Sequence, residues 1–258
     1  MTVRIERDDR GVTTIVVDRE AKLNVLDSPT VEALTAAAHA VSHEPGPRAV
    51  VLRGAGTRAF IGGADIVEMS ALSGPDAARA FITRIHRACD ALRRVPVPVI
   101  ARIEGYALGA GLEIAASCDL RIASENAVFG MPEVRIGLPS VVEAALLPGL
   151  IGWGRTRRLL LTGETIDAAR ALAWGLVEEV VEAAKLDAAV EAVLASILVS
   201  GPTSVRLQKE LISAWEDLPL RDAVQRGIDI FATTWEGEEP GRMTAGFLDE
   251  MRRRKTRA

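Results

Sequence analysis

What most constrains this chain is a succession of short apolar runs that stops abruptly two thirds of the way along. Ala49-Val-Val-Leu-Arg-Gly54 and Val99-Ile-Ala-Arg-Ile103 are too short for buried helices and end at or near glycine, the signature of buried strands. Two more strands are predicted at 119–123 and 127–129, and another at 177–181. Residues 2–18 read as a hairpin: Val3 and Ile5 alternate with Arg4 and Glu6, and Asp8-Asp-Arg-Gly11 turns the chain. Helices are predicted between the strands. One spans 29–42, with Asp27 or Ser28 as cap and Pro29 in its first turn. Another spans 75–94 and is ended by Pro96 and Pro98. Further helices are predicted at 107–117, 141–150, 154–161 and 167–173. From about residue 185 the pattern is helical only. This order predicts a mixed α/β core over 1–195 that carries a C-terminal helical region over 196–258. No Gly/Ser-rich linker separates the two, and no regular repeat is visible.

Bulk properties exclude several function classes. The formal charge of −4 offers no global basic surface for nucleic acid. The one basic cluster is Arg252, Arg253, Arg254, Lys255 and Arg257, which reads as a solvated tail or as a contact for phosphates. No apolar run approaches the length of a membrane helix, and the polar start is unlike a signal peptide. Cys89 and Cys118 lie in apolar contexts without a CxxC partner, as expected of reduced thiols in a cytoplasmic protein. His39 and His43 stand four apart on a helix, but no HExxH and no third ligand accompany them, so no metal site is expected. GxSxG, Walker A and an early GxGxxG are all absent.

Three segments hold the candidate chemistry. Phe60-Ile-Gly-Gly-Ala-Asp-Ile-Val-Glu-Met69 has two glycines that let the backbone turn tightly. The N–H groups after such a turn can face a cleft as oxyanion donors, although an ordinary strand-to-helix turn has the same sequence. Gly105-Tyr-Ala-Leu-Gly-Ala-Gly-Leu-Glu113 opens the segment predicted as a buried helix. Glu113 is the only charge between Glu104 and Asp119. A carboxyl in such surroundings is neutralised, paired in a salt bridge or functional, and burial raises its pKa toward the range of proton transfer. Phe129-Gly-Met-Pro-Glu133 puts a second acid beside a second turn. Two carboxyls in different environments can divide acid and base roles.

With these segments in order, the chain resembles the crotonase (enoyl-CoA hydratase/isomerase) superfamily over nearly its whole length. The resemblance rests on Lys22-Leu-Asn-Val-Leu26, on residues 59–69, 105–113 and 129–133, and on residues 159–178. It implies a spiral of repeated ββα units with a C-terminal helical region for oligomerisation, assembled as a homotrimer or a dimer of trimers. It implies stabilisation of an acyl-CoA thioester enolate by two backbone N–H groups, here those of Ala64 and Ala110. Glu113 and Glu133 match the two glutamates of the hydratases, the first of which isomerases often lack. The implied reaction is therefore hydration of a 2-enoyl-CoA, with Glu113 deprotonating the water and Glu133 protonating the α-carbon. Isomerase, hydrolase, lyase and non-catalytic CoA-binding roles are the alternatives on the same scaffold. Substrate contacts are expected from Lys22, Leu23, Gly62, Gly63, Asp65, Ile66, Val67, Gly109 and Pro132. Coenzyme A enters as part of the substrate, and no separate cofactor is expected. The sequence departs from the family pattern at Gly137-Leu-Pro-Ser-Val-Val-Glu-Ala144, where Val141 and Val142 are expected to reshape the acyl pocket. Glu143 is either a third acid near the site or a first-turn helix acid favoured by the dipole.

Overall fold

The computed structural model describes residues 2–257 and divides into two compact units, Met1–Leu194 and Ala195–Ala258. The first unit contains two sheets. Strands β1 (Val3–Arg7), β2 (Val12–Val17), β3 (Ala49–Gly54), β5 (Val99–Ile103), β7 (Leu120–Ser124) and β10 (Glu179–Val181) form the larger, in the order β1-β2-β3-β5-β7-β10. The predicted hairpin pairs antiparallel, Val3 against Val17, and every later pairing in this sheet is parallel. The smaller sheet is built from β4 (Ala59–Ile61), β6 (Tyr106–Leu108), β8 (Val128–Gly130) and β9 (Thr165–Asp167). Its first three strands are parallel, and β9 closes its edge antiparallel to β8.

The two sheets are filled in step. β3 enters the large sheet and β4 the small one, then β5 and β6, then β7 and β8. A helical segment follows each of the three pairs: α2 (Ile66–Ser70) with α3 (Gly74–Arg93), then α4 (Ala110–Ala116), then a 3-10 turn at Glu133–Ile136. This is the ββα progression that the resemblance implies. The central strands β3 and β5 of the large sheet are buried on both faces, which is why they read as continuous apolar runs. Helix α1 (Ser28–His43) starts as expected: Asp27 accepts a hydrogen bond from Thr30 N–H at 3.0 Å, and a proline occupies the first turn. It packs on α3, which buries Phe81, Ile85, Ala88, Cys89 and Leu92, a stripe at helical spacing.

The structure differs from the sequence reading around the small sheet. Residues 107–117 are not one helix. They are the end of β6 and the short α4, separated by Gly109 at φ +51° and ψ −121°, a conformation that no helix contains. The helices predicted at 141–150 and 154–161 are a 3-10 turn at Val142–Leu146 and a longer helix α5, Leu147–Thr162, kinked at Gly152. Helix α6 (Ala168–Trp174) follows β9, capped by Asp167. Helix α7 (Leu186–Leu198) runs from the first unit into the second. The second unit consists of α8 (Pro202–Asp217), α9 (Leu220–Thr234) and α10 (Glu239–Arg257) beyond that. On α10, Arg252 pairs with Asp249 and Arg254 with Glu250, while the Arg257 side chain lies outside the described residues. His39 and His43 lie on the exposed face of α1, with His43 Nδ1 2.8 Å from the His39 carbonyl oxygen. Among the described residues, no group of three metal-binding side chains is present.

Candidate active site

Three parallel neighbours, β4, β6 and β8, end on the same edge of the small sheet, and each leads directly into one of the candidate segments. The carboxyl ends of parallel strands are where open α/β sheets bind ligands. Here β4 delivers Gly62, Gly63 and Ala64. β6 delivers Gly109 and Ala110 and then, one helical turn on, Glu113. β8 delivers Pro132 and Glu133. A bond of 2.9 Å from Gly109 N–H to the Gly130 carbonyl locks the ends of β6 and β8 together.

All nine of these residues, Ile66 included with the three turns, line one cavity of about 620 Å3. Ala64 forms a parallel bridge with Leu26 through its neighbours: Leu26 N–H donates to Gly63 O and Asp65 N–H donates to Leu26 O, each at 2.8 Å. That pattern turns the Ala64 N–H itself away from Leu26. Ala110 is the first residue of α4, so its N–H has no acceptor within the helix. Its helical backbone conformation accommodates a Cβ without strain, so alanine replaces glycine here at no cost to the N–H. Gly63 turns the chain at φ +118° to bring Ala64 round.

The two carboxyls are held differently. Glu113 is only 4% exposed and accepts one hydrogen bond, from Ala144 N–H at 3.3 Å. Burial, joined by the nearby charge of Glu133 and a smaller contribution from Glu143, pushes its pKa up to about 8. Glu133 is half-buried and opens the 3-10 turn after Pro132. Its Oε2 accepts from Ser140 Oγ at 2.7 Å. Its Oε1 lies so close over Gly109 that a Cβ on that residue would collide with it. Gly109 therefore serves two ends: it supplies the backbone angles that start α4, and it leaves room for the second acid.

The remaining candidates lie outside the cavity lining. Lys22 is exposed in the turn Glu20–Lys22, and Leu23 follows in the left-handed region at φ 55°. Buried Asn24 anchors this turn by donating to Ala55 O and Ala59 O and accepting from Arg19 N–H. Leu23 O in turn accepts from Gly62 N–H at 2.9 Å, which sets the turn beside the cavity edge. Asp65 is buried and caps α2, accepting from Val67 N–H at 3.0 Å and Glu68 N–H at 3.3 Å, with Arg19 at 3.6 Å. Val67 is one of the most exposed apolar side chains of this unit.

The apolar walls were not singled out in the sequence. Met69, Phe81, Ile82 and Ile85 close one side, and Ile136 and Leu138 the other. The helical stripe of α3 was a usable signal, but it is the same signal that a core-facing helix gives. Val141 lines the cavity as expected, whereas Val142 packs toward the core.

The sequence profile described as enoyl-CoA hydratase/isomerase matches residues 7–252. The short-chain-enoyl-CoA hydratase of Clostridium acetobutylicum is 32% identical over 251 residues, covering 96% of this chain and 95% of its own. The crotonyl-CoA hydratase of Syntrophomonas wolfei is 31% identical over 95% of this chain and 94% of its own. The crystal structure of an enoyl-CoA hydratase from Mycobacterium smegmatis superposes with a TM-score of 0.94 at 29% identity, covering 97% of each chain. Two acids and two backbone donors on one strand edge, in a fold and sequence shared over almost the full length, place the chain in the enoyl-CoA hydratase/isomerase family.

Proposed function

We propose that this protein is an enoyl-CoA hydratase that adds water reversibly across the double bond of a 2-enoyl-CoA. The observation that carries the reading is the convergence of Glu113 and Glu133 on one cavity with the N–H groups of Ala64 and Ala110. The thioester carbonyl accepts from the two N–H groups, which stabilise negative charge as the enolate develops. Losing one such donor typically costs roughly 3 kcal/mol. The two carboxyls hold a water over the β-carbon. One takes a proton from that water as its oxygen bonds to the β-carbon, and the other gives a proton to the α-carbon. Atoms balance, because the pair gains one proton and loses one.

The two carboxyls interact, and a proton is resident on the more deeply buried of them near neutral pH. With its pKa near 8, Glu113 carries that proton before substrate enters. For Glu113 to act as the base, the proton passes to Glu133 through the water they share. Above about pH 8 the pair loses its last proton, so kcat/KM is expected to fall there. Coenzyme A belongs to the substrate, and Lys22, Leu23 and the 62–67 turn stand at the cavity edge where it would pass.

Self-association as a trimer or a pair of trimers belongs to the same reading. Leu220, Val224, Ile228 and Phe231 form one face of α9, continued by Trp235 at its C-cap, and all five are exposed, an apolar stripe suited to a second copy of the chain.

The test is loss of enone absorbance with crotonyl-CoA and longer 2-enoyl-CoAs, followed by product mass. A product heavier by one water is the expected result. Folded protein that hydrates none of them overturns the proposal. A product of unchanged mass would mark an isomerase, and free coenzyme A a hydrolase.

A further inference from the structure

Glu143 takes no part in the reaction proposed above and does not line the cavity, yet the fold buries its carboxylate to 6% exposure. It lies on the Val142–Leu146 turn, which packs on α3, α4 and α5. The turn is strained at its first residue. Val142 has φ +39°, a region that a β-branched residue occupies only when its surroundings enforce it, at about 1–3 kcal/mol. From α3, His86 Nδ1 lies 2.7 Å from Glu143 Oε1, the separation of a hydrogen bond in which the imidazole N–H donates. The His86 side chain is half exposed, so it joins the buried carboxylate to solvent. Glu143 Oε2 is buried without a nitrogen or oxygen partner among the described residues, and the Cys89 thiol is the polar group that meets this carboxylate. Packing alone demands neither the strain nor the buried charge, since an apolar side chain would fill the place at less cost. The next residue links them to the site, because Ala144 N–H is the donor to Glu113 Oε1.

We propose that His86 and Glu143 form a positioning pair behind the reacting acids: the pair anchors the turn that holds the Ala144 amide on Glu113, and its joint charge acts on Glu113 from the side opposite substrate. This rests on the reading of Glu113 as one of the two reacting carboxyls. With a neutral imidazole the pair carries one negative charge, which favours the protonated form of Glu113. With a protonated imidazole the pair is balanced and that influence weakens.

Few other charges face the pair. From α3 there is the Cys89 thiol, which burial and then the Glu143 charge push well above the ordinary thiol range. From α4 there is Glu113 alone, with Glu133 beyond it. The charges of α5 are engaged elsewhere on its exposed face: Arg155 with Trp174 O, Arg157 over the Trp153 ring and Arg158 with Glu164. On α3, Arg84 pairs with Glu32 and Asp90 with Arg94, while Arg87, the residue next to His86, is exposed to solvent.

The test is a carbon-13 NMR titration of the glutamate side-chain carboxyls in the full-length protein, with the Glu113 signal assigned through Glu113→Gln. Glu143→Gln keeps the shape and removes the charge. It is expected to lower the Glu113 midpoint, because one of the charges that favour the protonated form is gone. His86→Gln keeps an N–H donor but cannot become charged, and is expected to leave the midpoint in place or raise it. The alkaline limb of kcat/KM should move in the same direction as the midpoint in each variant. An unmoved Glu113 midpoint in folded Glu143→Gln, or a lowered one in His86→Gln, overturns the proposal. The titration needs no substrate, so a wild-type protein that hydrates nothing would overturn the proposed function separately.

Discussion

At the scale of single residues, the proton on Glu113 couples stability to pH. The folded state keeps that proton up to about pH 8, while an unfolded chain releases it near the ordinary 4.5. Between those values the folded state binds more protons, so this group makes stability fall as pH rises from 4.5 to 8 and adds no further slope above. Glu113→Gln removes the effect. At pH 8 the variant is expected to be more stable than wild type by about 1–3 kcal/mol, as read from urea unfolding at pH 5 and pH 8. Activity moves the other way. Glu133→Gln is expected to lower kcat by about a hundred- to ten-thousand-fold with little change in KM, measured on whichever enoyl-CoA is hydrated. Gly109→Ala sets a Cβ against Glu133 Oε1 at backbone angles that only glycine adopts readily. It is expected to destabilise the protein by about 1–3 kcal/mol and to lower kcat, which thermal unfolding and steady-state kinetics check. Glu113 was legible as an anomaly because one charge in a run of small apolar residues stands out. Glu143 was legible only as one of two readings, a third acid near the site or a first-turn helix acid, because a glutamate between Val142 and Ala144 fits both.

Elements differ in how much of them a sequence shows. Strands β3 and β5 match the apolar runs 49–54 and 99–103, because five or six buried residues in a row leave a readable pattern. The helix at 28–43 was readable from its cap and proline. Strands β4, β6 and β9 have three residues each, too few for any period, and they exist because a neighbouring strand supplies partners. Those are also strands of the sheet that builds the site, so the site's support was the less legible part. Helix α2 shows the same dependence. It has five residues and cannot stand alone, and the Asp65 cap is its main local support. Asp65→Ala removes the bonds from Val67 and Glu68 N–H. The expected cost is about 1 kcal/mol in chemical denaturation, with a higher KM because Ile66 loses its fixed place in the cavity wall.

For the whole molecule, the exposed stripe on α9 sets a prediction about assembly. Light scattering is expected to give a mass at a multiple of the 27.6 kDa chain, and Phe231→Asp, which puts a charge in that stripe, is expected to shift it toward the single-chain mass. A wild-type mass of one chain would overturn the assembly proposal. The sequence by itself determined the division into a mixed α/β part and a helical part, since burial pattern and period are local properties of the chain. It also determined the chemistry available: two acids in apolar surroundings, paired glycines after a strand, and no global basic surface or GxSxG. Only the tertiary structure decided that these groups meet. Glu113 and Glu133 lie twenty residues apart, and they converge because Leu108 pairs with Gly130 across β6 and β8. The burial that lifts Glu113 to about 8, and the place of Glu143 behind it, depend on α3, α4 and the 142–146 turn packing together. A pKa responds to everything within a few ångströms, and which groups come that close is a property of packing rather than of neighbours in sequence.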